Sequence, residues 1–168
     1  MTQLHDKRSI VAVDPTPYGL TYVFFEDGQL MDWATFRRNG EGDERAILDR
    51  IIGGTAADVV VFEDPRAPGA RRYARIRVLL QALATHARKR GIEVRLVPRQ
   101  DIRASWKTRG VMNKQAVAAA IAERLPELRP FVPPHRKNTM REDDRVHIFD
   151  AASLALYAFG EPRDGFAR

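Results

Sequence analysis

The sequence predicts an α/β fold, a five-stranded mixed sheet flanked by helices. Three observations predict it. Two continuous apolar runs, Ile10-Val11-Ala12-Val13 and Val59-Val60-Val61-Phe62, have the length and β-branched content of strands buried on both faces. The tip Glu26-Asp27-Gly28-Gln29 joins two strand-forming segments, and Asp-Gly supplies the positive φ that a tight hairpin needs. Downstream, helical and strand patterns alternate, which calls for crossovers and parallel pairing. A hairpin meander feeding strand–helix–strand units gives a mixed sheet.

Residues 9–14, 19–26 and 29–36 read as the first three strands, the second rich in strand formers (Leu20-Thr21-Tyr22-Val23-Phe24-Phe25). After the loop Asn39-Gly40-Glu41-Gly42, a helix is predicted over 43–52, with Ala46, Ile47, Ile51 and Ile52 as its apolar stripe and Gly53-Gly54 as its stop. The fourth strand covers 58–63, and Asp64-Pro65-Arg66-Ala67-Pro68-Gly69 must be a loop. In the long helix predicted over 70–90, Ile76, Leu79, Leu80, Leu83 and Ala87 recur at helical spacing, and Gly91 stops it. A fifth strand at 92–97, a short helix near 99–106 and a helix over 113–125 follow, the last with Val117, Ile121 and Leu125 inward. Residues 126–142 hold Pro126, Pro130, Pro133 and Pro134 and read as a long, mobile connection. A final helix spans 144–159, ended by Gly160. There is no internal repeat.

The 168 residues are most simply one domain, 1–168, with 1–8 and 161–168 as flexible ends. No apolar run approaches the roughly 18 residues of a membrane span. The polar start Met1-Thr2-Gln3-Leu4-His5-Asp6-Lys7-Arg8 has no apolar signal-peptide core. With 0 cysteines, a disulfide frame, a thiolate zinc site and a cysteine nucleophile are excluded. The net charge of +6 is unevenly spread. From Glu63 to Lys114 there are 14 Lys and Arg against 4 Asp and Glu, leaving 14 basic and 18 acidic residues elsewhere. A basic middle points to a polyanionic partner, although a solvated arginine-rich helix face would look the same.

Three acids stand at the ends of these elements. Asp14 closes the first strand, Glu63 closes the fourth, and Asp150 opens the apolar stretch Asp150-Ala151-Ala152-Ser153-Leu154. A carboxylate ending a buried strand costs desolvation unless positive charge offsets it. Ligands of open α/β sheets gather at the carboxyl ends of strands, where Asp14 and Glu63 lie. His147 stands three residues before Asp150, and Asp143 four before His147, so all three share a helix face. Carboxylates dominate the set, so Mg²⁺ is the first expectation, with Mn²⁺ better matched to an added imidazole. Two such ions about 4 Å apart activate water and stabilise the leaving 3′ oxygen of a phosphodiester. Each position also has a plain reading. Asp14 before Pro15 and Glu63-Asp64-Pro65 could be turns, Asp150 a solvated helix residue, His147 structural, and Asp143 the exposed start of its helix. The joint pattern, in this element order, favours the site.

These residues resemble a family. Ile10-Val11-Ala12-Val13-Asp14-Pro15, Val59-Val60-Val61-Phe62-Glu63, Val97-Pro98-Arg99-Gln100, Asn113-Lys114-Gln115-Ala116-Val117 and His147-Ile148-Phe149-Asp150-Ala151-Ala152-Ser153-Leu154-Ala155-Leu156 are similar, in that order, to the RuvC-type Holliday junction resolvases of the ribonuclease H-like nuclease superfamily. The resemblance implies a ribonuclease H-like sheet and a catalytic set of Asp14, Glu63, His147 and Asp150. These would bind Mg²⁺ or Mn²⁺, two ions per site, with Lys114 near the scissile phosphate. It implies a homodimer that nicks two strands of a branched DNA symmetrically. The chain departs from the family in having Thr16-Pro17 where glycine follows Asp-Pro, and in lacking aromatics directly after Glu63, the first being Tyr73. A second family lysine has only loose counterparts in Arg103 and Lys107.

Arg71, Arg72, Arg75, Arg103, Lys107, Arg109 and Lys114 are the expected phosphate contacts. Trp106 and Tyr73 are candidates for base stacking, Trp106 being more commonly a packing residue. The leading expectation is a cytoplasmic, nucleoid-associated endonuclease of bacterial or phage origin acting on branched DNA, without a membrane partner and with an unspecified helicase partner. The alternatives are an RNA-processing nuclease of the same fold and a non-catalytic nucleic-acid-binding module.

Overall fold

The computed structural model describes residues 8–40, 42–70, 73–134 and 145–160. Five strands, β1 (Ser9–Thr16), β2 (Gly19–Glu26), β3 (Gln29–Arg37), β4 (Val59–Glu63) and β5 (Glu93–Val97), form one sheet in the order β3-β2-β1-β4-β5. β1 pairs antiparallel with β2 and parallel with β4, β3 is antiparallel to β2, and β5 is parallel to β4. The sheet is mixed, as the hairpin and the crossovers require. Five helices flank it: α1 (Glu44–Thr55), α2 (Ala74–Lys89), α3 (Arg99–Lys107), α4 (Lys114–Arg124) and α5 (Val146–Ala158).

Strand alternation sorts the core into two layers. Ile10 and Ala12 of β1 and Val59 and Val61 of β4 pack with Ile121 of α4 and Ala152 and Ala155 of α5. Val11, Val13, Val60 and Phe62 point the other way, onto Ile47, Leu48 and Ile51 of α1 and Leu80, Leu83 and Ala87 of α2. Strands apolar on both faces are therefore the central ones, which is why the two continuous apolar runs became β1 and β4.

Several sequence expectations change in detail. β1 does not stop at Asp14: Asp14 pairs with Thr21, Pro15 with Leu20 and Thr16 with Gly19. The turn comes later, where the Tyr18 amide donates to Thr16 Oγ1 at 3.1 Å. Gly19 is obligatory there, because a Cβ would sit 1.9 Å from the Phe36 carbonyl oxygen. Gly53-Gly54 does not stop α1. The helix runs on to Thr55 and ends at Ala56, whose left-handed backbone lets its amide donate to Ile52 O. Each glycine costs about 1 kcal/mol against alanine, and burial of Leu48 and Ile51 outweighs that. The buried face of α1 is Glu44, Ile47, Leu48 and Ile51, while Ala46 is exposed.

The proline-rich connection is partly ordered. Pro126–Phe131 is a 3-10 helix that buries Leu128, and Phe131 meets Trp33 edge-on at 6.1 Å between ring centroids. Pro126 fits because the first turn of a helix leaves its amides unused. Residues 135–144, with Asp143 and the start expected for the last helix, lie outside the described residues, as do Arg71, Arg72, 1–7 and 161–168.

Candidate active site

Parity places the acids. Asp14 follows Ile10 and Ala12 by twos, and Glu63 follows Val59 and Val61 by twos, so both carboxylates face the α5 side of the sheet. They lie at the carboxyl ends of adjacent parallel strands. α5 approaches that face closely because its buried middle, Ala151-Ala152-Ser153-Leu154-Ala155-Leu156, is rich in small residues. Its first turn then carries His147 and Asp150, three apart, to the end of β1.

The result is a cluster. His147 Nδ1 lies 2.9 Å from Asp14 Oδ2. With Asp14 ionised, an imidazole protonated on Nδ1 would donate to it. One ligand atom each from Asp14, His147 and Asp150 lies within 4.8 Å of the others. Asp14 is fully buried, and the other two are half-buried. Around one six-coordinate ion, neighbouring ligand atoms stand about 3–4 Å apart, so modest side-chain rotations would gather these three. Two carboxylates and an imidazole suit a hard divalent cation, with the nitrogen donor tilting the preference towards Mn²⁺.

Glu63 shares this site without joining the trio. A cleft of about 430 Å³ is lined by Asp14, Glu63 and Asp150 together with Arg99, Arg103, Lys107 and Lys114. Glu63 is buried, and its Oε2 lies 3.7 Å from the Arg99 guanidinium. Lys114 is fixed by a cap: Asn113 Oδ1 accepts the Ala116 amide at 2.8 Å, and this starts α4 so that its first residue borders the cleft. Arg103 and Lys107 reach the same cleft from α3.

Other expected contacts are elsewhere. The Arg109 guanidinium lies over the Trp106 ring, 5.8 Å from its centroid, and is not among the residues lining the cleft. Arg75 sits 3.7 Å from Glu44 on the opposite side of the sheet. Trp106 is buried in the α4–α5 core, the plain reading of that residue, while Tyr73 is 86% exposed at the start of α2.

Two residues at this site escaped the sequence reading. Arg99 was legible in principle, since it follows the last strand directly and so falls at the same sheet end as Asp14 and Glu63. Thr21 was not. It is fully buried, stands opposite Asp14 across the β1–β2 ladder and shares a 2.8 Å hydrogen bond with Thr35. Only the register reveals it.

No family model and no curated protein matches this sequence. Solved structures do. T. thermophilus RuvC in complex with a Holliday junction substrate matches at a TM-score of 0.60 and 16% identity, covering 94% of this chain and 96% of that one. A further Thermus thermophilus RuvC structure matches at 0.57 and 17%, covering 95% and 98%. The yeast mitochondrial Holliday junction resolvase Ydc2 matches at 0.53 and 14%, covering 96% and 82%. The chain thus has the ribonuclease H-like fold of RuvC over nearly its whole length. Among the described residues, no helix is long and apolar enough to cross a membrane.

Proposed function

We propose that this chain is a divalent-metal-dependent, structure-specific endodeoxyribonuclease that resolves Holliday or other branched DNA junctions by phosphodiester hydrolysis. One observation carries the reading: Asp14, His147 and Asp150 meet within 4.8 Å at the carboxyl end of the central strand. Glu63 in the same cleft and the basic residues around it supply the rest of a nuclease site. The similar structures, a RuvC–Holliday junction complex and a Holliday junction resolvase among them, favour branched DNA over RNA as the substrate.

In this reading Asp14, His147 and Asp150 hold Mg²⁺ or Mn²⁺, and Glu63 completes the set for a second ion. When bound, the metal supplies Lewis-acid chemistry, offsetting charge at the attacked phosphate and lowering the pKa of the attacking water. The protein's own groups do the positioning. The Asp14–His147 hydrogen bond holds the imidazole against the end of β1. Lys114 sets the scissile phosphate against the carboxylates. Arg103 and Lys107 grip the flanking backbone without reading sequence. Thr21 stands opposite Asp14 across the β1–β2 ladder. Symmetric resolution requires two such sites, so the functional unit is a homodimer.

The test is nicking of a synthetic four-way junction with Mg²⁺ or Mn²⁺, alongside Asp14→Asn and Glu63→Gln. Metal-dependent nicking lost in both variants is the expected result. Tight binding with no cleavage under any divalent metal would instead make the chain a binding module, and preference for structured RNA would reassign the substrate.

A further inference from the structure

The sheet end that carries Asp14 and Glu63 has a second side. β3 runs parallel to β1, both being antiparallel to β2, so its last residue, Arg37, emerges at that same end. The first turns of α1 and α2 start there as well, because each helix follows a strand that finishes at this rim. On the face away from α5 these starts enclose a cavity of about 430 Å³ bordered by Arg38, Glu44, Arg45 and Arg75, with Val78 and Leu79 as its apolar wall.

The charges there are arranged for an anion. Two guanidiniums flank one carboxylate, and Arg45 borders the same cavity. Glu44 is buried in the first turn of α1 and lies 3.5 Å from Arg38 and 3.7 Å from Arg75. Each guanidinium has five N–H donors in a rigid fork, and one shared carboxylate cannot use them all. Glu44 therefore acts as an anchor. It holds two arginines at fixed positions across β3, α1 and α2 while the cluster keeps an excess of positive charge. A cation is disfavoured by the same count. Nearer the cleft, the Arg37 guanidinium lies 5.7 Å from the centroid of the Tyr18 ring, and Tyr18 is 43% exposed at the β1–β2 turn. Tyr18 is four residues from Asp14, and its carbonyl accepts the Arg38 amide at 2.8 Å. It bridges the two faces along the rim.

We infer that Arg38, Arg45 and Arg75 form a second nucleic-acid contact on the α1–α2 side, which Arg37 and Tyr18 continue along the rim towards the cleft. This contact takes the phosphodiester backbone of a DNA arm that leaves the cleavage site across the end of the sheet. The inference rests on the proposed nuclease reading and extends it, since the cleft alone engages DNA only from the α3–α4 side. Two contacts on opposite faces of one rim suit a branched substrate, whose arms diverge from a single point.

The test uses the full chain and an exposed pair of side chains that leaves the Glu44 anchor intact. Arg37→Gln/Arg45→Gln is compared with the unaltered protein for binding to a four-way junction in Ca²⁺ over a salt series, with thermal midpoints as a fold control. Each phosphate contact contributes a salt slope of about −0.9, so the double variant should bind about tenfold more weakly near 0.1 M salt, with its slope reduced in magnitude by about 2. An Arg103→Gln/Lys107→Gln variant gives the comparison for the proposed cleavage cleft. Unchanged affinity and slope in Arg37→Gln/Arg45→Gln, while the unaltered protein binds and nicks the junction, would overturn this surface and leave the nuclease reading standing. Failure of the unaltered protein to bind or nick any branched DNA would overturn both.

Discussion

The two ends of the central strands use acids in opposite ways. Where β1 and β4 begin, Asp58 is exposed and its needs are met locally. Its Oδ2 accepts Ser9 Oγ at 2.9 Å and the Ser9 amide at 3.1 Å, while its own amide donates to the Ser9 carbonyl at 3.0 Å. These hydrogen bonds hold its carboxyl below the usual carboxylate range. Where the same strands finish, Asp14 and Glu63 are buried, and His147 and Arg99, which reach them, come from helices distant in sequence. One end is stapled by a neighbour on the adjacent strand. The other is assembled from four separate elements and carries concentrated negative charge that folding alone does not need. An acid whose partners are adjacent serves the fold, whereas acids gathered from afar into a basic cleft fit the proposed chemistry.

That contrast can be broken most decisively at Asp14. Asp14→Asn should lower metal-dependent junction nicking by about a thousandfold or more, since in the proposed mechanism it removes a charged ligand at the reacting centre. Thermal stability should hold or rise, because neutralising a buried carboxylate relieves desolvation and an amide oxygen can still accept the His147 N–H. Cleavage assays and melting curves together check this, and a large loss of stability would return Asp14 to a structural role. Next in size, Lys114→Ala should reduce nicking by about 10–100-fold with the melting temperature unchanged, since an exposed cation bordering the cleft acts on the transition state and not on the fold.

Gly19→Ala sharpens the comparison from the side of stability. Its new Cβ would collide with the Phe36 carbonyl, and forcing β2 and β3 apart should cost about 2–3 kcal/mol by denaturant titration. The smallest effect belongs to Asp58. Its folded pKa is depressed, so its stabilising contribution is present above the unfolded pKa of about 3.9 and lost as pH falls through the folded value. Asp58→Asn should therefore be slightly less stable than the unaltered chain at neutral pH, and the gap should close in acid. Melting curves taken across that range measure it.

Much of this was readable from the residues. The runs at 10–13 and 59–62 announced central strands, and counting by twos from them sets Asp14 and Glu63 on one face. The three-residue spacing of His147 and Asp150 likewise survived. What could not be read depends on register and on distant packing. Thr21 becomes a neighbour of Asp14 only once β1 and β2 pair as they do. Glu44 carries no sequence signal beyond its place in the first turn of α1, and its burial depends on Arg38, just past β3, and Arg75 of α2. Gly53-Gly54 and Pro126 misled for a related reason. Local signals give the intrinsic cost of continuing or forming a helix, and buried Ile51 and Leu128 supply the tertiary gain that outweighs it.

The outer flank of β3 has a consequence of its own. Among the described residues β3 is the last strand of the sheet, with a row of backbone donors and acceptors facing outward on one side. A register shift at Phe24/Phe25 and the charged Asp32, anchored by the Tyr22 hydroxyl at 2.5 Å, interrupt that row part-way along. Such interruptions are how sheet margins resist fibrous self-association, so the interrupted margin would help keep this chain dispersed at high concentration.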